Sequence, residues 1–309
     1  MPRSFGHYAD GADDADTTKE TMKLSLVISA QATRYGDVAF VGDLERNIGR
    51  LAQMGYDGVE LGIRDPLAMD AAELEAMLAR YGLVCPVIST GQAWIEERLS
   101  FTSPDPKVRE AAVERIRQHI ALAARMNTMP GTTGHPMVML GLIRGKRTEG
   151  VSDDQAMAWL VEALQECASV SGQAGVRLVI EPINRFEADF IHSARDGLAL
   201  LERVGYDHVG LILDTFHMNI EEPSIEESMR LVGPRLFHFH LSDSNRWHPG
   251  AGHIDFASVV RILVDMGYEG FLSGEFMAKP DAETAAQRMI EHMRPILRKI
   301  GQGQEGHQA

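Results

Sequence analysis

The sequence predicts a closed (β/α)8 barrel, a TIM barrel, spanning residues 22–300 as one domain. Eight short apolar runs of strand character alternate with longer segments of helical periodicity. Several helical segments stop at a glycine just before the next run, and composition does not shift between the two halves. An open doubly wound sheet is the alternative, but no glycine-rich phosphate loop follows the first run.

Residues 1–21 (MPRSFGHYADGADDADTTKET) are polar and acidic and lack the apolar stretch of a signal peptide, so they read as a disordered tail. The first strand candidate is KLSLVISA (23–30). A helix follows in LERNIGRLAQMGY, with Leu44, Ile48, Leu51 and Met54 on one stripe. Next come GVELGI (58–63) and LVCPVIST (83–90). PDPKVREAAVERIRQHIALAARM reads as a helix in which Pro106 suits the first turn and Val108, Ala112, Ile116 and Ile120 form the face. The remaining strand candidates are MVMLGLIR (137–144), RLVIEPI (177–183), VGLILDT (209–215), LFHFHLSD (236–243) and GFLSGEF (270–276). Their Val, Ile, Leu and Phe content suits strands buried on both faces. Gly55, Gly82, Gly205 and Gly267 are expected helix stops, three of them in Gly-Tyr pairs. The closing stretch, GQGQEGHQA (301–309), reads as a flexible tail.

Bulk composition narrows the function. The chain has 309 residues, 44% of them hydrophobic, and no apolar span long enough for a membrane helix. Lys+Arg 30 against Asp+Glu 44 gives −14, which argues against a nucleic-acid partner because that contact needs a basic face. Cys85 and Cys167 lie in apolar segments and read as free thiols of a reducing compartment, so a cytoplasmic location is expected.

Four residues carry the chemistry. Glu181 follows VRLVI, Asp214 follows VGLIL, His240 sits within RLFHFH and Glu275 follows GFLSG. A charged group at the carboxyl end of a buried strand is costly unless paired. Any one of the four has a plain alternative: a helix cap, a salt bridge, or a hydrogen-bonded interior histidine. Their recurrence at equivalent places on the fifth to eighth strands points instead to ligands converging on one divalent metal. His238 and His240 alternate with Phe237, Phe239 and Leu241, so the histidines are expected on one face and the apolar residues on the other. Oxygen-rich ligation with one imidazole suits Mn²⁺, Mg²⁺ or Co²⁺, and less well Zn²⁺. Such an ion would polarise two adjacent substrate oxygens and stabilise the enediolate left when a C–H proton departs. Glu181 and Glu275, on opposite sides, would then serve as base and acid and invert the carbon.

Glu187 and His217 could bind substrate oxygens, with a salt bridge or helix cap as the alternative. Arg246, on the polar loop SDSNRWHPGAGHIDF, is expected to touch substrate. Trp247 and His248 could close over the ligand, although packing accounts for Trp247 equally well.

IEPINRFE, LDTFHMNIEE, FHFHLSDSNRWHPGAGHIDF and the late SGE resemble the xylose-isomerase-like sugar isomerase/epimerase superfamily, and within it the D-tagatose 3-epimerase group of ketose 3-epimerases. KLSLVIS, IRDP, STGQAW, RLSFTSPDP and GLIRGKR are similar to the 5-keto-L-gluconate epimerase branch, which interconverts 5-keto-L-gluconate and D-tagaturonate. The resemblance runs from about Met22 to Ile300. It implies a barrel with one divalent ion, usually Mn²⁺, held by Glu181, Asp214, His240 and Glu275. Glu181 and Glu275 would be the acid/base pair, and Glu187, His217 and Arg246 would hold substrate oxygens. Gln92, within STGQAW, joins the expected substrate contacts. A homo-oligomer, dimer or tetramer, is also implied. The PGTTGHP stretch (130–136) departs from the family pattern.

Arg64 and Arg144, after the second and fourth strands, are candidates for a sugar-acid carboxylate, with ion pairs to Asp65 or Glu96 as the alternative. Neutral ketoses such as tagatose, psicose or ribulose compete as substrates. A multi-zinc endonuclease on the same fold would need a basic DNA-facing surface, which the charge opposes. An aldose–ketose isomerase or inosose dehydratase shares metal-assisted proton abstraction. A sugar-binding protein would have no use for two proton-transfer carboxylates.

Overall fold

Eight parallel strands form the barrel in chain order: β1 (Lys23–Ser29), β2 (Gly58–Gly62), β3 (Val87–Ser89), β4 (Met137–Leu140), β5 (Leu178–Ile180), β6 (Val209–Asp214), β7 (Leu236–Leu241) and β8 (Phe271–Gly274). β8 closes the ring on β1, pairing Phe271 with Lys23 and Gly274 with Leu26. A further two-residue segment, Phe40 and Val41, lies beside Ile28 and Ser29 of β1. This computed structural model describes residues 22–34, 36, 38–126 and 134–305. The expected N-terminal tail and most of PGTTGHP lie outside the described residues.

Ten helices connect or cover the strands among the described residues: α1 (Leu44–Met54), α2 (Ala71–Tyr81), α3 (Gln92–Glu97), α4 (Pro106–Arg125), α5 (Asp153–Gln173), α6 (Ala194–Val204), α7 (Thr215–Glu221), α8 (Ile225–Val232), α9 (Phe256–Asp265) and α10 (Ala282–Glu305). α4 shows why they start and stop where they do. Asp105 accepts the Lys107 backbone N–H at 2.9 Å. Pro106 fills the first turn, where no N–H is needed. Ala112, Ile116 and Ile120 are buried, and each isoleucine contributes roughly 1.5–3 kcal/mol by leaving water. The expected glycine stops are left-handed, Gly55 at φ 89° and Gly205 at φ 78°. A side chain would penalise that geometry. α10 continues to Glu305, into the stretch expected to be unstructured. Nothing in GQGQE forbids a helix, since a glycine there costs only about 1 kcal/mol.

Prolines shorten two strands relative to the sequence reading. β3 begins at Val87 because Pro86 offers no N–H to a ladder, and β5 ends at Ile180 ahead of Pro182. After β4 the chain turns at Gly141 into a short 3₁₀ segment, Leu142–Arg144, instead of continuing extended.

Apolar side chains form two layers. Leu24, Leu26, Ile28, Val59 and Leu61 face the helices, whereas Val87, Met137, Met139, Val179 and Ile212 form a separate cluster. Phe237 packs against this second cluster rather than beside Phe239, which corrects the simple alternation expected for β7. The cause is a bulge: Leu211 pairs with Leu236, but Ile212 pairs with His238, leaving Phe237 as the extra residue. Gly210 makes room for it, because a Cβ there would lie 2.4 Å from the Phe237 ring. Beyond the bulge, His238 and His240 share a face as expected, and Phe239 and Leu241 join the helix-facing layer. Among the described residues no helix is long and apolar enough to cross a membrane.

Candidate active site

The four residues singled out at strand ends converge. Ligand atoms of Glu181, Asp214, His240 and Glu275 all lie within 4.8 Å of one another, and all four side chains are buried. Glu181 is the first residue beyond β5. Asp214 ends β6 and caps α7. Its Oδ1 accepts the backbone N–H of Phe216 at 2.7 Å and that of His217 at 3.3 Å. The cap and the cluster are therefore compatible roles, one oxygen serving each. Glu275 follows β8, and its N–H donates to the Leu241 carbonyl at 3.1 Å, which extends the sheet contact to the site.

Three buried carboxylates this close repel one another unless cations intervene. Arg246 does so, with Nη1 2.8 Å from Asp214 Oδ2 and Nη2 2.9 Å from Glu275 Oε2. His240 Nδ1 stands 3.0 Å from Glu181 Oε1 and 3.3 Å from Glu275 Oε2. The consequences differ between the two glutamates. Burial and the neighbouring Glu275 charge push the Glu181 carboxyl above its ordinary range. Burial acts the same way on Glu275, but Arg246 and His240 overcome it and hold that carboxyl well below its usual value. Burial opposes a charge on His240, yet Glu60 and Glu275 together raise it well above an ordinary imidazole.

Three carboxylates and one imidazole are a donor set that fits a divalent ion of the Mn²⁺, Mg²⁺ or Co²⁺ type. Arg246 and a protonated His240 supply positive charge to the same oxygens. A cavity beside the cluster is lined by Val27, Gly62, Gln92, Leu142, Glu181 and Glu275. Gln92 thus reaches the site as expected; its Nε2 donates to Ser29 Oγ at 2.7 Å, while its Oε1 meets no donor among the described residues.

The other expected contacts divide. Asn184 Nδ2 lies 2.8 Å from both Glu187 Oε1 and His217 Nδ1, tying those two residues into one network. Burial holds His217 down to about 4, so the ring is neutral and accepts from the Asn184 amide. Arg246 is buried and bridges two candidate ligands, held in a left-handed conformation at φ 61°. Asp243 shapes its loop by accepting the N–H groups of Ser244, Gly250 and Ile254. Trp247 is partly exposed and His248 is buried.

Neither Arg64 nor Arg144 lines that cavity; Arg64 Nε lies 3.7 Å from Glu97 Oε1, an ion pair with a different partner from the Asp65 or Glu96 considered above. Glu96 instead pairs with Arg34 at 3.0 Å. Arg144 is buried, and one of its N–H groups donates to the Glu181 backbone carbonyl.

Sequence reasoning missed Glu60 and Asn184. Glu60 is fully buried within β2, and its Oε2 lies 3.1 Å from Nε2 of both His238 and His240. An acid in the middle of the apolar run GVELGI was the available signal, because it cannot be buried without a partner.

Residues 48–296 match the xylose isomerase-like TIM barrel family, and the chain belongs to it. It is 32% identical over 234 residues to an L-ribulose 3-epimerase of Mesorhizobium japonicum, covering 75% of each chain. It is 30% identical over 223 residues to a D-psicose 3-epimerase of Agrobacterium fabrum, covering 72% of this chain and 75% of the relative. A solved L-ribulose 3-epimerase structure superposes with a TM-score of 0.78 at 27% identity, covering 93% of this chain and 98% of that one. These relatives are epimerases, a class of isomerase.

Proposed function

We propose that this chain is a divalent-metal-dependent carbohydrate epimerase that inverts C3 of a ketose, or the equivalent carbinol carbon of a keto-sugar acid. The observation that carries the reading is the placement of Glu181 and Glu275, just beyond β5 and β8, 3.0 and 3.3 Å from the same His240 nitrogen. A bound ion supplies Lewis-acid stabilisation of the negative charge that builds on two adjacent substrate oxygens as the C–H bond breaks. One carboxylate takes the proton from one face of the carbon, and the other returns a proton to the opposite face. The reverse reaction exchanges their roles. Before an ion binds, their environments differ: Glu275 is held ionised and Glu181 keeps a proton more readily. Asn184, Glu187 and His217 form a polar wall that orients substrate hydroxyls. Glu181→Gln and Glu275→Gln should each lower epimerisation by roughly 10²–10⁴-fold and uncouple it from solvent-deuterium exchange, because the remaining carboxylate can still exchange the proton on its own face. Normal turnover with normal exchange in either variant defeats the two-base scheme.

The substrate we favour is the 5-keto-L-gluconate/D-tagaturonate pair, with Mn²⁺ as the ion and Co²⁺ or Mg²⁺ as substitutes. Arg144 supports a keto acid: it lies against Glu181, and its Nε and Nη2 meet no acceptor among the described residues. The pairing of Arg64 with Glu97 favours the second reading, a neutral ketose, by removing one of the two expected carboxylate partners. Faster turnover of D-tagatose or L-ribulose than of 5-keto-L-gluconate would select the neutral sugars. We also infer a homo-oligomer; light scattering of the purified protein tests it.

A further inference from the structure

We propose that Glu60 is a positioning residue that holds His240 in the tautomer and orientation the metal requires, an inference that rests on the metal-dependent reading above. Glu60 belongs to β2, while the expected ligands come from β5 to β8. Its carboxylate is sealed from solvent, and a single oxygen, Oε2, sits 3.1 Å from Nε2 of His240 and 3.1 Å from Nε2 of His238. The two rings stand nearly perpendicular, at 86° with centroids 5.3 Å apart, which lets one oxygen meet both.

The two nitrogens of His240 face different partners. Nδ1 is turned toward Glu181 and Glu275, so it is the atom that shares space with the candidate ligands. A neutral imidazole has one N–H and one lone pair. Giving the Nδ1 lone pair to a cation obliges the proton to sit on Nε2, and Glu60 Oε2 is the acceptor placed there. The other tautomer would set a lone pair against a carboxylate oxygen and aim the N–H at the cation. A carboxylate behind a ligating histidine also strengthens it as a donor. His238 completes the arrangement by approaching the same oxygen, which limits how far Glu60 can turn.

The test is Mn²⁺ affinity, measured by isothermal titration calorimetry on metal-stripped full-length protein. Glu60→Gln keeps the shape but offers a neutral acceptor, and Glu60→Leu removes the acceptor altogether. Loss of an outer partner of this kind costs about 10–100-fold in metal affinity, so Glu60→Gln is expected near the lower figure and Glu60→Leu near the higher. The turnover number at saturating Mn²⁺ should change less than the affinity does. His238→Asn disturbs the same buried network but leaves the Glu60–His240 contact in place, and it should leave Mn²⁺ affinity within about threefold, since only the direct partner fixes the tautomer. If Glu60→Leu does not fold, the near-isosteric Glu60→Gln decides. A Glu60→Gln loss below about fivefold, or an equal loss in His238→Asn, overturns the inference. A wild-type chain that binds no divalent ion defeats the metal reading as well, whereas wild-type binding with unchanged Glu60 variants defeats this inference alone.

Discussion

Arg246 offers the sharpest test of how the site balances charge. Its guanidinium spans Asp214 at 2.8 Å and Glu275 at 2.9 Å, and all three side chains are buried. At an effective dielectric of about 20, each contact amounts to roughly 6 kcal/mol of attraction before desolvation is subtracted. Removing one partner of such a buried set typically costs about 3–5 kcal/mol, because the charges left behind are uncompensated. Arg246→Ala should therefore destabilise the metal-free protein by that amount. Backbone strain does not confuse the comparison, since arginine and alanine both carry a Cβ in the same left-handed conformation. With an unfolding entropy of about 2.1 cal/mol/K per residue, the melting temperature should drop by roughly 5–8 °C. Saturating Mn²⁺ brings positive charge to the same carboxylates, so the gap between variant and wild type should narrow to less than about half. Arg246→Lys should fall between the two, because one ammonium cannot reproduce the fork. Differential scanning calorimetry with and without Mn²⁺ reads all three proteins. A metal-free Arg246→Ala protein melting within about 2 °C of wild type, or a gap unaltered by Mn²⁺, would refute the reasoning.

Chelation should abolish epimerisation without unfolding the chain, and Mn²⁺ at about 100 times its dissociation constant should add roughly 2.7 kcal/mol of stability; turnover that survives exhaustive chelation contradicts the metal role. His217 predicts a pH effect, since burial lowers it from 6.5 to about 4. Between those values the unfolded chain binds a proton that the folded chain excludes, so stability falls as the pH drops through that window. The gap corresponds to roughly 3 kcal/mol at about 1.36 kcal/mol per pH unit. Metal-free His217→Asn should show a stability curve flatter than wild type by that amount between pH 6.5 and 4, measured by urea unfolding. An unchanged slope would exclude a neutral buried His217.

The barrel was legible because its signals are local. Strand-length apolar runs, the Pro106 helix start and the glycine stops each act within a few residues. The cluster of three carboxylates and one imidazole was legible for a related reason. In a parallel barrel all strand carboxyl ends share one mouth, so Glu181, Asp214, His240 and Glu275 could be grouped without knowing any distance. What escaped depends on direction and long-range pairing. Arg64 and Arg144 both follow strands, but local turn geometry sends one to Glu97 and buries the other against the Glu181 carbonyl. The bulge at Phe237 follows from how β6 and β7 register, which no pattern within LFHFHL reveals. Glu60 needed the knowledge that β2 and β7 face each other across the interior, although Glu60 and His238 are far apart in sequence.

Glu60 also changes the account of the charge inside the barrel. Four buried carboxylates, Glu60, Glu181, Asp214 and Glu275, are met by Arg246 and by a His240 whose surroundings favour its protonated form. Arg144 adds a further buried positive charge beside the Glu181 carbonyl, and Glu181 is inclined to keep a proton in the absence of metal. A divalent ion would require Glu181 ionised and His240 neutral at Nδ1, which removes two protons for the two positive charges gained. The net charge of the interior is then the same with and without the ion. That release of protons gives a physical reason why metal affinity should strengthen as pH rises. It also separates two tasks: Arg246 and Glu181 adjust to the ion's presence, while Glu60 keeps the His240 ring pointed the same way throughout.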